Sequence, residues 1–170
     1  MTIPSTMRAW RVHDYGEPLD VLQLDEVAVP EPGAGEILVR SLAVPLNLND
    51  YERVTGANMA VRPPLPYAPG MEAMGMVVAA GAGAESFVGR RVACNAKMAI
   101  GGYAEYVIGS AAAAFDVPES IPLPDAACIF FPFHLAYMGL FDRAGLQAGE
   151  SVLVHAAAGG SGSAAVQLAK

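Results

Sequence analysis

The sequence predicts a mixed β and α/β fold, with a small β-barrel over residues 1–123 and the beginning of an α/β unit over residues 124–170. Two observations indicate this division. Short apolar runs separated by Gly and Pro recur up to about residue 120, which is typical of a small, partly closed barrel. Near the end of the chain an apolar run, a glycine-rich turn and a small-residue helical pattern follow one another over 151–170.

The predicted barrel strands are apolar or alternating runs with many β-branched residues. They lie at 7–12, 22–27, 37–44, 73–80, 91–93 and 103–107. Turns rich in Gly and Pro separate them. A short helix is predicted after 46–50, and Gly56 ends it. Residues 124–146 are predicted to be helical and to link the two parts, with Pro132 dividing the helix.

The last twenty residues predict a strand at 151–155, a tight turn, and a helix that starts near Ser161. Small residues in the turn allow a sharp bend and a close approach of a pyrophosphate. The start of the helix offers free N–H groups and the positive end of its dipole. The turn is therefore predicted to bind a dinucleotide, with contacts from Ala157, Gly159, Gly160, Ser161 and Gly162.

Composition and charge exclude several classes of protein. The chain of 170 residues is 54% hydrophobic and carries a formal net charge of −7, which argues against binding to nucleic acid or to an anionic membrane surface. Neither a signal peptide nor a membrane-spanning run is visible. The two cysteines, Cys94 and Cys128, are predicted to be free thiols in a reducing cytoplasm.

Four motifs in order along the chain carry a family resemblance. They are L-N-L-N-D at 46–50 with Gly56, L-P-Y-A-P-G-M-E at 65–72, G-G-Y-A-E-Y at 101–106, and V-L-V-H-A-A-A-G-G at 152–160. Together they resemble the medium-chain dehydrogenase/reductase superfamily, in its zinc-independent quinone-oxidoreductase branch. That branch usually has valine where Ser161 stands.

The resemblance implies a GroES-like barrel followed by a Rossmann cofactor domain, and a homodimer in the full-length form. It also implies a nicotinamide cofactor, NADPH in preference to NADH. The residue that selects between the two falls about 20 positions beyond the glycine turn, which is past Lys170.

A zinc site is the main alternative chemistry, and the sequence argues against it. In zinc-dependent relatives, ligands of Cys, His and Cys type fall where Asn47, Met71 and Pro132 stand. Catalytic zinc needs three protein ligands of Cys, His or carboxylate type, which these three residues do not supply. The four clustered cysteines of a structural zinc lobe also have no counterpart between residues 91 and 103.

Two polar residues near the predicted short helix are the catalytic candidates. The amide of Asn47 is predicted to bond the substrate oxygen or the nicotinamide edge, and capping of the following helix is the alternative. Asp50 is the second candidate, with a structural role as its alternative. Tyr103 is expected to anchor a loop, and no partner for acid/base work is predicted for Glu72. His134 is a candidate proton donor, with packing against neighbouring side chains as the alternative.

The predicted function is hydride transfer from NAD(P)H to a quinone or an α,β-unsaturated carbonyl compound, with the cofactor supplying the reacting atom. Two alternatives stay open: an enoyl reductase-like activity on thioesters, and a truncated, non-catalytic module. With one strand and one helix of the cofactor domain in 151–170, the 170-residue chain by itself is expected to be inactive.

Because Asn47, Met71 and Pro132 stand at the three ligand positions, the protein is predicted to hold no stoichiometric zinc. Elemental analysis of protein purified without chelators should find far less than one zinc per chain. A value near one zinc per chain would show that other residues rebuild the site.

Overall fold

The structure is a computed structural model that describes residues 2–58 and 60–170. The chain divides into two compact units, one extending to Ala127 and one spanning Cys128–Lys170. Throughout the described residues, no helix has the length and apolar character needed to cross a membrane.

The first unit begins with a two-stranded antiparallel sheet. Its strands are β1 (Thr6–Val12) and β2 (Leu22–Ala28), which are joined through a single helical turn, α1 (Pro18–Val21). The register runs from Thr6 opposite Ala28 to Val12 opposite Leu22. Isolated bridges attach β1 to the loops that carry Tyr67 and Ala104. The first two predicted strands are therefore formed, but they lie outside the barrel ladder.

Four antiparallel strands close the barrel: β3 (Glu36–Ala43), β4 (Glu72–Ala80), β5 (Arg91–Ala96) and β6 (Tyr106–Asp116). β3 pairs with both β4 and β6, which closes the sheet on itself. Inward-facing residues of these strands form the core, and they are mostly small or β-branched. Its fully buried members are Ile37, Val39, Ala73, Val77, Ala84, Val92, Cys94, Ala96 and Val107.

The last barrel strand is longer than the sequence pattern predicts. Its first half, 106–110, pairs with β3, whereas Gly109 and the last three residues, 114–116, pair with β5. The alanine tract at 111–114 follows the part of β6 that pairs with β3. A Cβ on Gly109 would lie 2.7 Å from the Cys94 sulfur, so the strand passes close to β5 at this point. Small side chains allow β6 to pair with both β3 and β5 in a narrow barrel.

The first unit also contains the helices α2 (Leu48–Thr55) and α3 (Leu123–Ala127), and two 3-10 turns at Glu85–Phe87 and Lys97–Ala99. α2 ends at Gly56, whose φ of 77° is the left-handed conformation that glycine favours at a helix end. α3 buries Ala126 and Ala127.

The second unit contains α4 (Phe131–Tyr137), which continues into a π-helical turn (Met138–Arg143), and α5 (Gly160–Ala169). Pro132 stands in the first turn of α4, where its missing N–H costs no helical hydrogen bond. The predicted division of the helical segment at this proline is therefore observed. The core of this unit consists of Ala136, Leu140, Ala164 and Ala165.

One predicted element of the second unit is not formed. The sequence predicts a strand at 151–155, but residues 151–154 have no regular secondary structure and a turn begins at His155. A β-strand needs a neighbouring strand to satisfy its backbone N–H and C=O groups. Among the described residues of 128–170 no other strand is assigned, so this apolar run has no partner within its unit.

Candidate functional site

The polar residues of the first motif meet at the start of α2. Asn47 precedes the helix with an extended backbone, at φ −109° and ψ 151°. The carboxylate of Asp50 accepts a hydrogen bond from the Asn47 backbone N–H at 3.0 Å, and the Asp50 N–H donates to the Asn47 carbonyl at 3.0 Å. This reciprocal contact is a capping box, in which the Asn47 side chain also faces the Asp50 N–H, so the helix-capping role that was the alternative for Asn47 is observed.

The Asn47 side chain bonds a carboxylate from a distant part of the chain. Its Nδ2 donates to Oε2 of Glu72, the first residue of β4, at 2.8 Å. Glu72 is only 1% exposed, whereas Asn47 is half-buried. Glu72, to which the sequence assigned no partner, is thus a hydrogen-bonding partner of the candidate site residue.

Tyr103 is the second side chain whose contact the sequence did not reveal. Its hydroxyl donates to Oδ2 of Asp50 at 3.0 Å, so this carboxylate oxygen accepts two hydrogen bonds. Asp50 is 3% exposed, and its other oxygen, Oδ1, is buried without a partner among the described residues. Burial, followed by the charge and hydrogen bond of Asp50, raises the pKa of Tyr103 far above its ordinary value.

Close backbone contacts bring these segments together. The N–H groups of Gly102 and Tyr103 donate to the carbonyls of Gly70 and Pro69, at 2.9 Å each. A Cβ on Gly102 would lie 2.5 Å from the Glu72 carbonyl oxygen, and a Cβ on Gly70 would lie 2.5 Å from the Tyr103 ring. Gly70 also has a φ of 98°. Glycine is required at both positions for the two loops to touch.

One buried cation belongs to the same region. Arg53, on α2, is 7% exposed and donates through Nη1 to the Ala99 carbonyl. Its positive charge lowers the pKa of Tyr67, whereas burial and the nearby Tyr15 and Asp50 raise it more strongly, to about 12. The polar cluster therefore consists of Asn47, Asp50, Arg53, Tyr67, Glu72 and Tyr103.

An apolar groove of about 890 Å³ includes residues next to this polar cluster. Leu46 and Tyr103 line it together with Trp10, Leu19, Leu24 and Leu42. Several of these side chains are strongly exposed, with Leu46 at 84% and Leu19 at 99%. The polar cluster reaches this groove through Tyr103.

The predicted phosphate-binding turn is exposed and tightly bent. Ala157, Gly159 and Gly160 are exposed, and Ser161 and Gly162 are partly buried. The Gly159 N–H donates to the Ala156 carbonyl at 3.0 Å, and Ala156 has a positive φ of 53°. A Cβ on Gly162 would overlap the Ala156 carbonyl, so only glycine fits there.

The first turn of α5 provides the groups that an anion binds. The backbone N–H groups of Gly160, Ser161 and Gly162 precede the first intrahelical hydrogen bond, which runs from the Ser163 N–H to the Gly159 carbonyl at 2.8 Å. Unpaired N–H groups and the helix dipole favour a phosphate at this end. The residues therefore fit the pyrophosphate of a dinucleotide.

At the three positions where zinc-dependent relatives carry ligands, this chain has residues that are not of the Cys, His or carboxylate type. Met71 is buried and its carbonyl accepts the Ala96 N–H, and Pro132 opens α4. Within 2–58 and 60–170, no group of three or more His, Cys, Asp or Glu side chains is arranged to hold a metal ion. The remaining candidate proton donor, His134, packs against the Phe130 ring with the ring centroids 5.6 Å apart.

Comparison with known proteins identifies the family. Residues 33–119 match the alcohol dehydrogenase GroES-like domain. The chain is 38% identical over 167 residues to human quinone oxidoreductase, a match that covers 96% of this chain and 50% of that protein. It is 35% identical over 179 residues to 2-methylene-furan-3-one reductase of Solanum lycopersicum, covering 100% of this chain and 46% of that protein.

A solved mycobacterial structure that is complexed with NADPH superimposes with a TM-score of 0.81 at 32% identity, covering 95% of this chain and 49% of the other. The chain therefore belongs to the medium-chain dehydrogenase/reductase superfamily, in its quinone oxidoreductase-like branch, and the predicted fold class is confirmed. The chain spans about half the length of the curated relatives it matches.

The raised pKa of Tyr67 predicts a loss of stability in alkali. An unfolded tyrosine ionises near pH 10, whereas Tyr67 in the folded protein ionises at about 12. The stability that this difference adds is complete below pH 10 and is lost as the pH rises to 12. Tyr67→Phe should make the decline in unfolding free energy shallower, by up to about 1.4 kcal/mol per pH unit for one proton.

The measurement is urea denaturation followed by Trp10 fluorescence at several pH values between 8 and 12. Comparing each protein with itself at pH 8 removes any effect of the substitution on neutral-pH stability. Equal slopes for wild type and Tyr67→Phe would contradict the assigned pKa.

Proposed function

We propose that the protein is an NADPH-dependent reductase that transfers a hydride to a quinone or an α,β-unsaturated carbonyl compound without zinc. The main support is the amide of Asn47, held on the buried carboxylate of Glu72 at the position where zinc-dependent relatives have a cysteine. A neutral, half-buried amide can bind an oxygen-containing ligand but cannot replace a zinc ligand. The named relatives, a quinone oxidoreductase and a furanone reductase, support the substrate class.

The chain's own residues have two proposed roles. Ala157, Gly159, Gly160, Ser161 and Gly162 bind the pyrophosphate through the bent turn and the start of α5. Asn47 uses its remaining hydrogen-bonding groups on the substrate oxygen or the nicotinamide edge, and Asp50 holds the backbone of Asn47 in place. NADPH, when bound, supplies the hydride.

Reduction without a metal requires an acceptor that is already polarised. Quinones and enones meet this requirement, since hydride addition places negative charge on an oxygen that hydrogen-bond donors can stabilise. The apolar groove beside Leu46 offers a surface for the ring or chain of such a compound. NADPH is favoured over NADH because a similar solved structure contains NADPH.

We further propose that the 170-residue chain alone does not turn over NADPH. A Rossmann domain binds its cofactor across several parallel strands with helices on both faces. Within the described part of 128–170 the elements are α4, the π-helical turn and α5, without an assigned strand. The full-length form is proposed to be a homodimer. It is also proposed to be cytoplasmic, because the two free thiols, Cys94 and Cys128, indicate a reducing compartment.

The test is steady-state oxidation of NADPH, followed by its absorbance, with a simple quinone and with an enone. Full-length protein should show turnover with at least one acceptor, and a species whose intact mass matches 170 residues should match the buffer control. Absence of turnover in the full-length protein would contradict the proposed activity. Clear turnover by the 170-residue species would contradict the proposed need for further Rossmann strands.

A substitution in the turn tests the cofactor site separately. Gly162→Ala should weaken NADPH binding at least about tenfold, because its Cβ overlaps the Ala156 carbonyl and displaces the start of α5. Gly139→Ala is the matched control, since a Cβ there meets nothing within 4 Å and the residue lies in the π-helical turn.

Both variants are compared with wild type by calorimetric titration of the full-length protein with NADPH. Circular dichroism verifies that each one is folded. Equal affinities for wild type and Gly162→Ala would remove this turn from the proposed cofactor site.

A further inference from the structure

Glu72 is a carboxylate whose burial needs an explanation. It is the first residue of β4, it is 1% exposed, and its register partner on β5 is Asn95. Placing a carboxylate in the interior is costly unless hydrogen bonds compensate for the lost water. A residue at the entrance of a barrel strand could be apolar without harm to the ladder, so the charge at this position points to a role beyond the fold.

The contact of Glu72 with Asn47 has a definite chemical direction. A carboxylate only accepts hydrogen bonds, whereas an amide side chain has an accepting oxygen on one arm and a donating nitrogen on the other. The Asn47 amide must therefore turn its nitrogen toward Glu72, as the 2.8 Å contact from Nδ2 to Oε2 records. The planar amide then has one orientation, in which its oxygen faces the Asp50 N–H of the capping box and its second N–H is left for other groups.

Both backbones that carry this pair are held independently. Asn47 is fixed by its reciprocal contacts with Asp50. Glu72 is fixed by β4 pairing and by Gly102, which packs against its carbonyl oxygen. A hydrogen bond between two fixed backbones orients a side chain at little further entropic cost, which is the arrangement that supports a pre-organised site.

We propose that Glu72 is a positioning residue that holds the Asn47 amide in one orientation toward the bound ligand. This inference rests on the proposed function, in which Asn47 contacts the substrate or the nicotinamide. Glutamine at position 72 has the same shape but is neutral, so it accepts a weaker hydrogen bond from the Asn47 amide and can also turn its own nitrogen toward that amide. The charge of Glu72, and not only its size, is therefore what the site requires.

The main experiment is steady-state kinetics of full-length Glu72→Gln with NADPH and a quinone. The kcat should fall about tenfold, the size expected for a hydrogen bond to a charged group. The KM for NADPH should change less than about twofold, because the phosphate contacts lie elsewhere in the chain, and the Tm should stay within a few degrees. An unchanged kcat, with or without a lower Tm, would show that Glu72 serves only the fold.

Two further variants separate the possible failures. Glu36→Gln is the matched control: Glu36 starts β3, at the opposite end of that strand from Asn47, and pairs with Lys97 at 2.7 Å, so its kcat should equal that of wild type. Asn47→Ala tests the proposed function itself. If Asn47→Ala leaves kcat unchanged, the proposed role of Asn47 fails, whereas an effect of Asn47→Ala without one of Glu72→Gln overturns only the inference about Glu72.

A third experiment does not depend on catalytic activity. The side-chain amide protons of Asn47, observed by NMR, should exchange with solvent more slowly in wild type than in Glu72→Gln. Asn47→Asp should lose stability because two carboxylates face each other, and the double variant Asn47→Asp/Glu72→Gln should regain it, since the glutamine can donate to the new carboxylate. Equal exchange rates, or a double variant no more stable than Asn47→Asp, would overturn the proposal.

Discussion

The candidate site depends on two buried carboxylates, Asp50 and Glu72, beside the start of α2. Each is nearly inaccessible to water, and each accepts a hydrogen bond from Asn47: Asp50 from its backbone and Glu72 from its side chain. Tyr103 adds a third bond. Because an uncompensated buried charge is strongly destabilising, these contacts fix the loop before α2, the entrance of β4 and the loop before β6 relative to one another.

Glycines make this polar cluster possible. The chain segments around Gly70 and Gly102 approach so closely that no side chain fits between them, and Gly70 adopts a positive φ. The barrel contributes the rigid support, since β4 is paired on both sides and its inward residues form the dry core. The fold thus places a neutral amide on a buried carboxylate, and the chain neighbour of that amide, Leu46, lines an apolar groove.

Much of the fold was predictable from the sequence, because the alternation of apolar and polar residues in strands and the Gly and Pro residues of turns depend only on residues close in the chain. Five of the six predicted barrel-region strands, the end of α2 at Gly56 and the break at Pro132 appear close to their predicted positions, whereas the strand predicted at 103–107 lies at Tyr106–Asp116. The bond between Asn47 and Glu72 was not predictable in this way, since 25 residues separate its partners and only the closed barrel brings them together. The strand predicted at 151–155 is absent because its formation depends on neighbouring strands, which local apolar character does not supply.

We expect the start of α2 to be held rigidly before any ligand binds. Native-state hydrogen exchange of the backbone amides of Asn47 and Asp50 tests it most directly. We expect both amides to exchange only through openings that cost close to the full free energy of unfolding, as buried, cooperative structure does. Exchange near the rate of an unstructured chain, with the barrel strands still protected, would show that the site is not pre-organised and would contradict this account.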